Sequence, residues 1–344
     1  MLEGLSSAAL YAVCLGLGVL PVLVFLVSLV LLDSYKLVKL RLVLGVVAAG
    51  AAVGALCLYL NPWLLATLDL DTATYTRFLG PGVEELLKGS VVALALWRRR
   101  IGFLVDAAVW GFAVGAGFAA FENSHYFVVL ARPEPVLWIL RGFGTAIMHG
   151  GATALAAVLA KQLADRFDSV APPVVLPGLV LAALVHAAFN HFYLSPALST
   201  LLLLVVLPLL FTLVFRVSEN ATRHWLGSGF DSDQELLEII TSGQVSDTPM
   251  GEYLHDLKSR FPGPTVVDML CWIRVHLELS IRAKGVLLMR KAGFAVAPDP
   301  EVGERLEELR HLEKTIGPTG MIALHPIYRM GHHDLWQMSH LEGE

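Results

Sequence analysis

Two adjacent carboxylates and a lysine stand at the mouth of an apolar run. Gly80–Gly89 reads GPGVEELLKG, and the chain continues as SVVALAL to Leu96. A charged side chain in hydrocarbon costs roughly 2.5–3.5 kcal/mol on insertion scales, so Glu84, Glu85 and Lys88 need a physical reason to be there. Three further polar patterns sit on equally apolar stretches. FAAFEN carries Glu122 three residues before His125, HGGAT sets His149 four residues before Thr153, and HAAFNH sets His186 four before Asn190. The four-residue spacings put each pair on one helix face. These residue types suit the activation of water. A glutamate in a poorly solvated site can act as a general base near neutral pH. Histidines can polarise a carbonyl, stabilise an oxyanion or bind a metal, and Asn190 can donate to the same oxyanion. Two His plus a Glu is also a ligand set for a catalytic divalent metal such as zinc, here Glu122, His149 and His186 from three helices. Metal-bound and metal-free chemistry both remain open at this point. Glu84 and Glu85 then supply the base and its partner, with Lys88 tuning them. Only one of the two can point into the site, and the sequence leaves open which. HExxH, GxSxG and a paired-aspartate pattern are all absent.

Each residue also has an ordinary structural reading. Glu84 and Glu85 could favour a helix N-terminus through its dipole, and Lys88 could snorkel to the surface. Pairing with Glu84 one turn back is the preferred reading of Lys88, because it leaves the other carboxylate free. A single interior His149 or His186 is more often a satisfied core residue than a ligand. Thr153 and Asn190 alone commonly bond across membrane helices. Asp106 and Arg141 read as structural groups near span ends. Arg141 lies eight residues before His149, hence roughly on its face. His125 and His191 read as interfacial. Glycines 142, 144, 150 and 151 around His149 are expected to leave room for a substrate backbone.

The elements that must position these groups follow from composition. The chain has 344 residues, 56% hydrophobic and only 16% charged, with mean hydropathy +0.64. Soluble domains run near a quarter charged, so this is a membrane composition. From Glu219 onward there are 12 Lys and Arg against 19 Asp and Glu, and before it 13 against 11. A hydrophobic, slightly basic block therefore precedes an acidic, polar one. No concentrated basic face points to nucleic acid, and Cys14, Cys57 and Cys271 frame no disulfide set. MLEGLSSAAL lacks the basic start of a signal peptide and reads as part of a retained first span. Seven apolar runs approach the ~20 residues that cross a bilayer: 5–32, 41–60, 80–97, 103–130, 136–160, 174–194 and 197–216. Clustered Lys and Arg in 33–41, 97–100, 161–167 and after the last span put those loops inside, the N-terminus outside and the C-terminal third in the cytoplasm. At 1.5 Å per residue, Glu122 then lies roughly 12 Å below the outer end of its span. His186 lands at a similar depth, His149 somewhat deeper, and all four polar clusters fall in the outer half. That coincidence of depth and chemistry carries the functional reading. The small-residue string Gly111–Ala120 permits close helix packing around it.

EELLK, FAAFEN, HGGAT and HAAFN, in this order on successive spans, resemble the PrsW family of intramembrane proteases. That family is related to the type II CAAX prenyl proteases and the bacterial CPBP group. The resemblance covers about residues 75–195. Where the CAAX branch has histidine in its second motif, Glu122 stands here, as in the PrsW branch. The resemblance implies an endopeptidase that cuts membrane-anchored regulators, such as anti-sigma factors, in their extracytoplasmic part.

The expected architecture is all-α: a polytopic transmembrane helical bundle, residues 1–217, with a mostly helical cytoplasmic domain, 218–344. The latter reads as regulatory or partner-binding, with helices over 231–243, within 263–294, and over 299–317 ending at a glycine. Its eight histidines, His332 and His333 among them, read as a solvated surface. Partners are a membrane-protein substrate and lipid in the cell membrane, with room for a cytoplasmic partner. Two rivals from other classes are a proton- or ion-coupled transporter and a silent scaffold. Transporters of that kind show repeated halves, and no repeat is present.

Overall fold

The computed structural model describes residues 6–33, 38, 40–294, 296–297, 299–328, 336 and 341. The expected start of the first span before Ser6, Lys36 and Lys39 of the first basic loop, and His332 and His333 lie outside the described residues. Every regular element among the described residues is helical. The chain divides into two compact units, Met1–Glu219 and Asn220–Glu344.

The first unit is a bundle. It begins with α1 (Ser7–Leu32) and α2 (Leu40–Thr67). A single turn, α3 (Thr72–Thr74), passes through a π-helical stretch, Tyr75–Leu79, into α4 (Gly80–Trp97). Next come α5 (Leu104–Leu130) and a short α6 (Pro135–Ile139), which runs through a second π-helical stretch, Leu140–Ala146, into α7 (Ile147–Phe167). α8 (Pro172–Asn190) and α9 (Pro196–Thr241) follow. Six helices are long and apolar enough to cross a membrane: α1, α2, α5, the continuous Pro135–Phe167, α8 and α9. The fold is thus an all-α polytopic membrane bundle. Helix α4 is the seventh expected span, eighteen residues long and carrying Glu84, Glu85 and Lys88.

Helices α5 and α7 are the buried centre, and the other long helices keep apolar faces outward, as chains solvated by lipid do. Small residues let neighbours close on α5. A Cβ on Gly115 would fall 2.3 Å from the carbonyl oxygen of His149, and one on Gly117 would fall 2.0 Å from that of Val47. Asp106 caps α5, accepting from the amides of Gly102 (2.8 Å) and Phe103 (3.0 Å), so its structural reading stands. α2 was expected to end at residue 60. Instead it passes through Pro62 to Thr67, since proline removes one helix bond and neighbouring helices can absorb that loss.

In the second unit, α10 (Pro249–Leu257), α11 (Gly263–Lys291) and α12 (Pro300–Leu324) enclose a core around Trp272, Met269, Leu306 and Leu309. The separate helix expected over 231–243 does not exist. α9 continues to Thr241 because no proline follows Pro208, and Gly227 and Gly229 each cost only about 1 kcal/mol in a helix. It does stop where expected, before Gly243 at φ 79°. The glycine stop at 317 is a kink instead. Gly317 adopts φ 73°, and Pro318, well placed in a first turn, starts a further helical segment within α12. His276 departs from the solvated reading too. It is fully buried on α11, one turn after Trp272, with ring contacts to Trp272 and Tyr328.

Candidate active site

Six expected site residues meet inside the first unit. α4 turns Glu85 and Lys88 into the bundle, where they are essentially inaccessible. Lys88 Nζ donates to Glu85 Oε1 at 2.5 Å, lies 3.0 Å from His149 Nδ1, and sits 4.5 Å over the Phe118 ring. The expected pairing of Lys88 with Glu84 is therefore corrected. Both carboxylates are within a turn of the lysine, but only Glu85 faces the interior that Lys88 enters. Glu85 has further partners: Oε1 also meets His186 Nδ1 at 3.0 Å, and Oε2 lies 3.2 Å from the Thr153 hydroxyl, which also reaches the His149 carbonyl at 3.0 Å.

Glu84 lies about 100° round the same helix and lines a cavity of about 520 Å³. Both adjacent glutamates thus reach the site, one as its buried floor and one in its wall. Glu84 Oε1 accepts from Asn61 Nδ2 at 2.9 Å, and Oε2 lies 4.0 Å from His186 Nε2. His149 and His186 meet edge to face, centroids 4.6 Å apart. Glu122 Oε2 is shared by His149 Nε2 at 3.4 Å and Arg141 Nη2 at 3.3 Å. Arg141 also bonds Asn123 Oδ1 at 2.9 Å and covers the Tyr126 ring. Its place is the cavity wall.

The hydrogen-bond partners assign the ring protons. Glu85 can only accept, so His186 carries its proton on Nδ1 and presents the Nε2 lone pair to Glu84. Lys88 can only donate, so His149 accepts at Nδ1 and carries its proton on Nε2, toward Glu122. One imidazole is arranged as an acceptor and the other as a donor.

Asn190 lines the cavity, but its amide donates to the Thr76 carbonyl at 3.0 Å. His125 also lines the cavity. His191 is set in an aromatic cluster with Phe78 and Tyr193. The four glycines near His149 leave no room for substrate. A Cβ there would meet the Leu17 carbonyl at Gly142 (1.9 Å), Thr200 Oγ1 at Gly144 (2.5 Å), the Phe112 ring at Gly150 (2.7 Å) and Leu207 at Gly151 (2.6 Å). Those spaces are already filled by neighbouring helices. Asn61 and Tyr75 escape the sequence reading. The one signal was an asparagine directly after the apolar run 41–60 and before Pro62, and both residues fall in a stretch that reads as a loop.

Glu84, His149 and His186 each offer one ligand atom, all within 4.8 Å of one another. The expected set had Glu122 in place of Glu84. Chemically this donor set fits a divalent cation, since two imidazoles and one carboxylate leave a fourth position open. The second ring nitrogens are also anchored, His186 by Glu85 and His149 by Lys88. Glu84 and His186 offer lone pairs as they stand. His149 does so once its Nε2 proton passes to Glu122 and a Lys88 proton passes to Nδ1, which keeps the imidazole neutral.

The profile described as PrsW family intramembrane metalloprotease matches residues 38–215, just over half the chain. The chain belongs to the PrsW family. It is therefore a peptide hydrolase of the membrane, and the matched segment contains every site residue described above. No curated protein and no solved structure matches it.

Proposed function

We propose that this PrsW-family chain cuts a peptide bond of a membrane-anchored protein in the Glu84–His149–His186 cavity. Glu84 serves as base toward the attacking water. The observation that carries this reading is the convergence of those three donors, within 4.8 Å, on a cavity inside an apolar bundle. Glu84 is the carboxylate able to act, because Lys88, His186 and Thr153 already occupy Glu85. Its Oε2 takes the water proton, and the His186 Nε2 lone pair holds the same water from the other side. His149 Nε2–H is the donor suited to the developing oxyanion. Glu85 and Lys88 act from behind by fixing the two rings. A divalent cation would be held by Glu84, His149 and His186 in place of the two imidazole hydrogen bonds just given, and when bound would polarise the scissile carbonyl and acidify water. Asn190 acts through its hold on the 75–79 segment.

The substrate proposed is a single-span regulator of the anti-sigma-factor kind, cut in the outer half of the cell membrane. The basic loops support this orientation, with the N-terminus outside and the second unit, as a regulatory or partner-binding domain, in the cytoplasm. The test reconstitutes the chain in nanodiscs with a panel of single-span membrane proteins. Wild type should cleave at least one. Glu84→Gln and His186→Ala should cut it at least about 100-fold more slowly, the lower range of a positioned acid–base group. Variants that cleave at the wild-type rate would remove these residues from the mechanism.

A further inference from the structure

Glu84 is the least restrained by charge of the three site carboxylates, since Glu85 is held by Lys88 and Glu122 by Arg141. What holds Glu84 is a relay of neutral groups. The Tyr75 hydroxyl donates to Asn61 Oδ1 at 2.9 Å, and Asn61 Nδ2 donates to Glu84 Oε1 at 2.9 Å. The order is unambiguous, because the carboxylate can only accept and so fixes which end of the amide faces it. Tyr75 is 4% exposed, and all three residues line the same cavity.

The backbone is shaped to make this contact. In an unbroken α-helix the nine residues from Tyr75 to Glu84 would place them about 180° apart. The one extra residue that a π-helical turn accommodates reduces the angle to about 80°. The π-helical stretch Tyr75–Leu79 lies between them. It is gripped from the other side by Asn190 on the Thr76 carbonyl. The turn thus brings a phenol on the helix approach round toward the carboxylate it serves.

We infer that Asn61 and Tyr75 are positioning residues, which lock Glu84 Oε1 and so aim Oε2 at His186 Nε2 and the open site. This rests on the assignment of Glu84 to the hydrolytic centre. The relay holds the carboxylate without neutralising it: a cation there would compete for the lone pairs that the site needs, and a phenol–amide pair does not.

The test is a Co²⁺ titration of the full-length chain, stripped of metal and held in detergent, followed by the visible absorption of the bound ion. Glu84→Gln and His186→Ala should lose the site signal. Asn61→Leu should bind Co²⁺ about 10–100-fold more weakly than wild type, as the removal of an outer-sphere partner does. Tyr75→Phe, which keeps the ring, should weaken binding about 2–10-fold, the worth of one neutral hydrogen bond. Tyr59→Phe, on the exposed side of α2, the helix that carries Asn61, should match wild type. A thermal melt of each variant separates loss of the site from loss of the fold, and Tyr75→Phe decides if Asn61→Leu fails to fold. Wild-type affinity in both relay variants, with the signal still lost in Glu84→Gln, would overturn the inference and leave the site assignment standing. A Co²⁺ signal indifferent to Glu84→Gln and His186→Ala would overturn both.

Discussion

Glu84 and Glu85 differ by one position and yet meet different surroundings, since a helix sets neighbours about 100° apart. Glu85 enters the packed interior and needs a cation there; Glu84 enters the cavity and has only amide and imidazole partners. Removing the cation alone should be costly. Lys88→Met leaves Glu85 buried without its counter-charge, a change worth about 3–5 kcal/mol. It should appear as a lowered thermal midpoint in detergent, and Lys88→Met with Glu85→Gln should recover most of the loss. A single variant that melts like wild type would show that the pair is not buried as described. At this scale the sequence was partly legible. The residue types and their order on successive spans identified the cluster, because ionisable groups in apolar runs are rare enough to stand out. The partner of Lys88 was not legible, since positions three and four residues back are equally near on a helix. Asn61 was invisible for another reason. Its role depends on α2 running past Pro62, which brings it to a carboxylate 23 residues away.

At the scale of elements, two features set the site: close helix approach and two π-helical turns. Gly115 lets α5 touch the backbone of His149, so Gly115→Val should displace α7 and lower stability by about 1–3 kcal/mol, as overpacking does. It should also slow cleavage. Gly82→Ala is the control, because a Cβ there meets nothing within 4 Å. The second π-helical stretch, Leu140–Ala146, does for Arg141 and His149 what the first does for Tyr75 and Glu84. Eight residues of plain α-helix would set them about 80° apart; one accommodated residue brings them within about 20°. Both then reach the same oxygen of Glu122. Deleting exposed Arg77, which would remove the first π turn, leaves eight residues of plain α-helix between Tyr75 and Glu84 and the same angle of about 80°, so Co²⁺ binding should be kept while helix content stays unchanged. Loss of affinity after the deletion, in a chain that still folds, would contradict the phase argument. Such turns carry no periodicity signal in sequence, so apolar runs located these helices without their local winding.

For the whole molecule, the apolar first unit and the acidic second unit obey different solvents. Small residues and lipid-facing apolar surface were legible as a membrane bundle from composition alone. The second unit has its own sensitivity. His276 is buried among Trp272 and Tyr328, and neither ring nitrogen has a partner among the described residues. Burial pulls its pKa down to about 4, with Asp233 opposing and Lys284 adding to the shift. The unfolded imidazole, near 6.5, binds its proton first as pH falls, so the unit loses stability between about pH 6.5 and about pH 4. The loss amounts to about 3 kcal/mol and should appear as faster hydrogen exchange along α11 at pH 5 than at pH 7.5. His276→Leu should remove most of that pH dependence. An unchanged dependence would assign it to other groups.

The central claim is that Glu84, His149 and His186 are the hydrolytic centre of this protease and hold its metal. The most direct measurement is the metal content of the purified chain by mass spectrometry, with His186→Ala in parallel. A divalent metal near one per chain in wild type, and far less in His186→Ala, is the result expected. Equal metal in both, or a wild type that cleaves substrate with none bound, would contradict it.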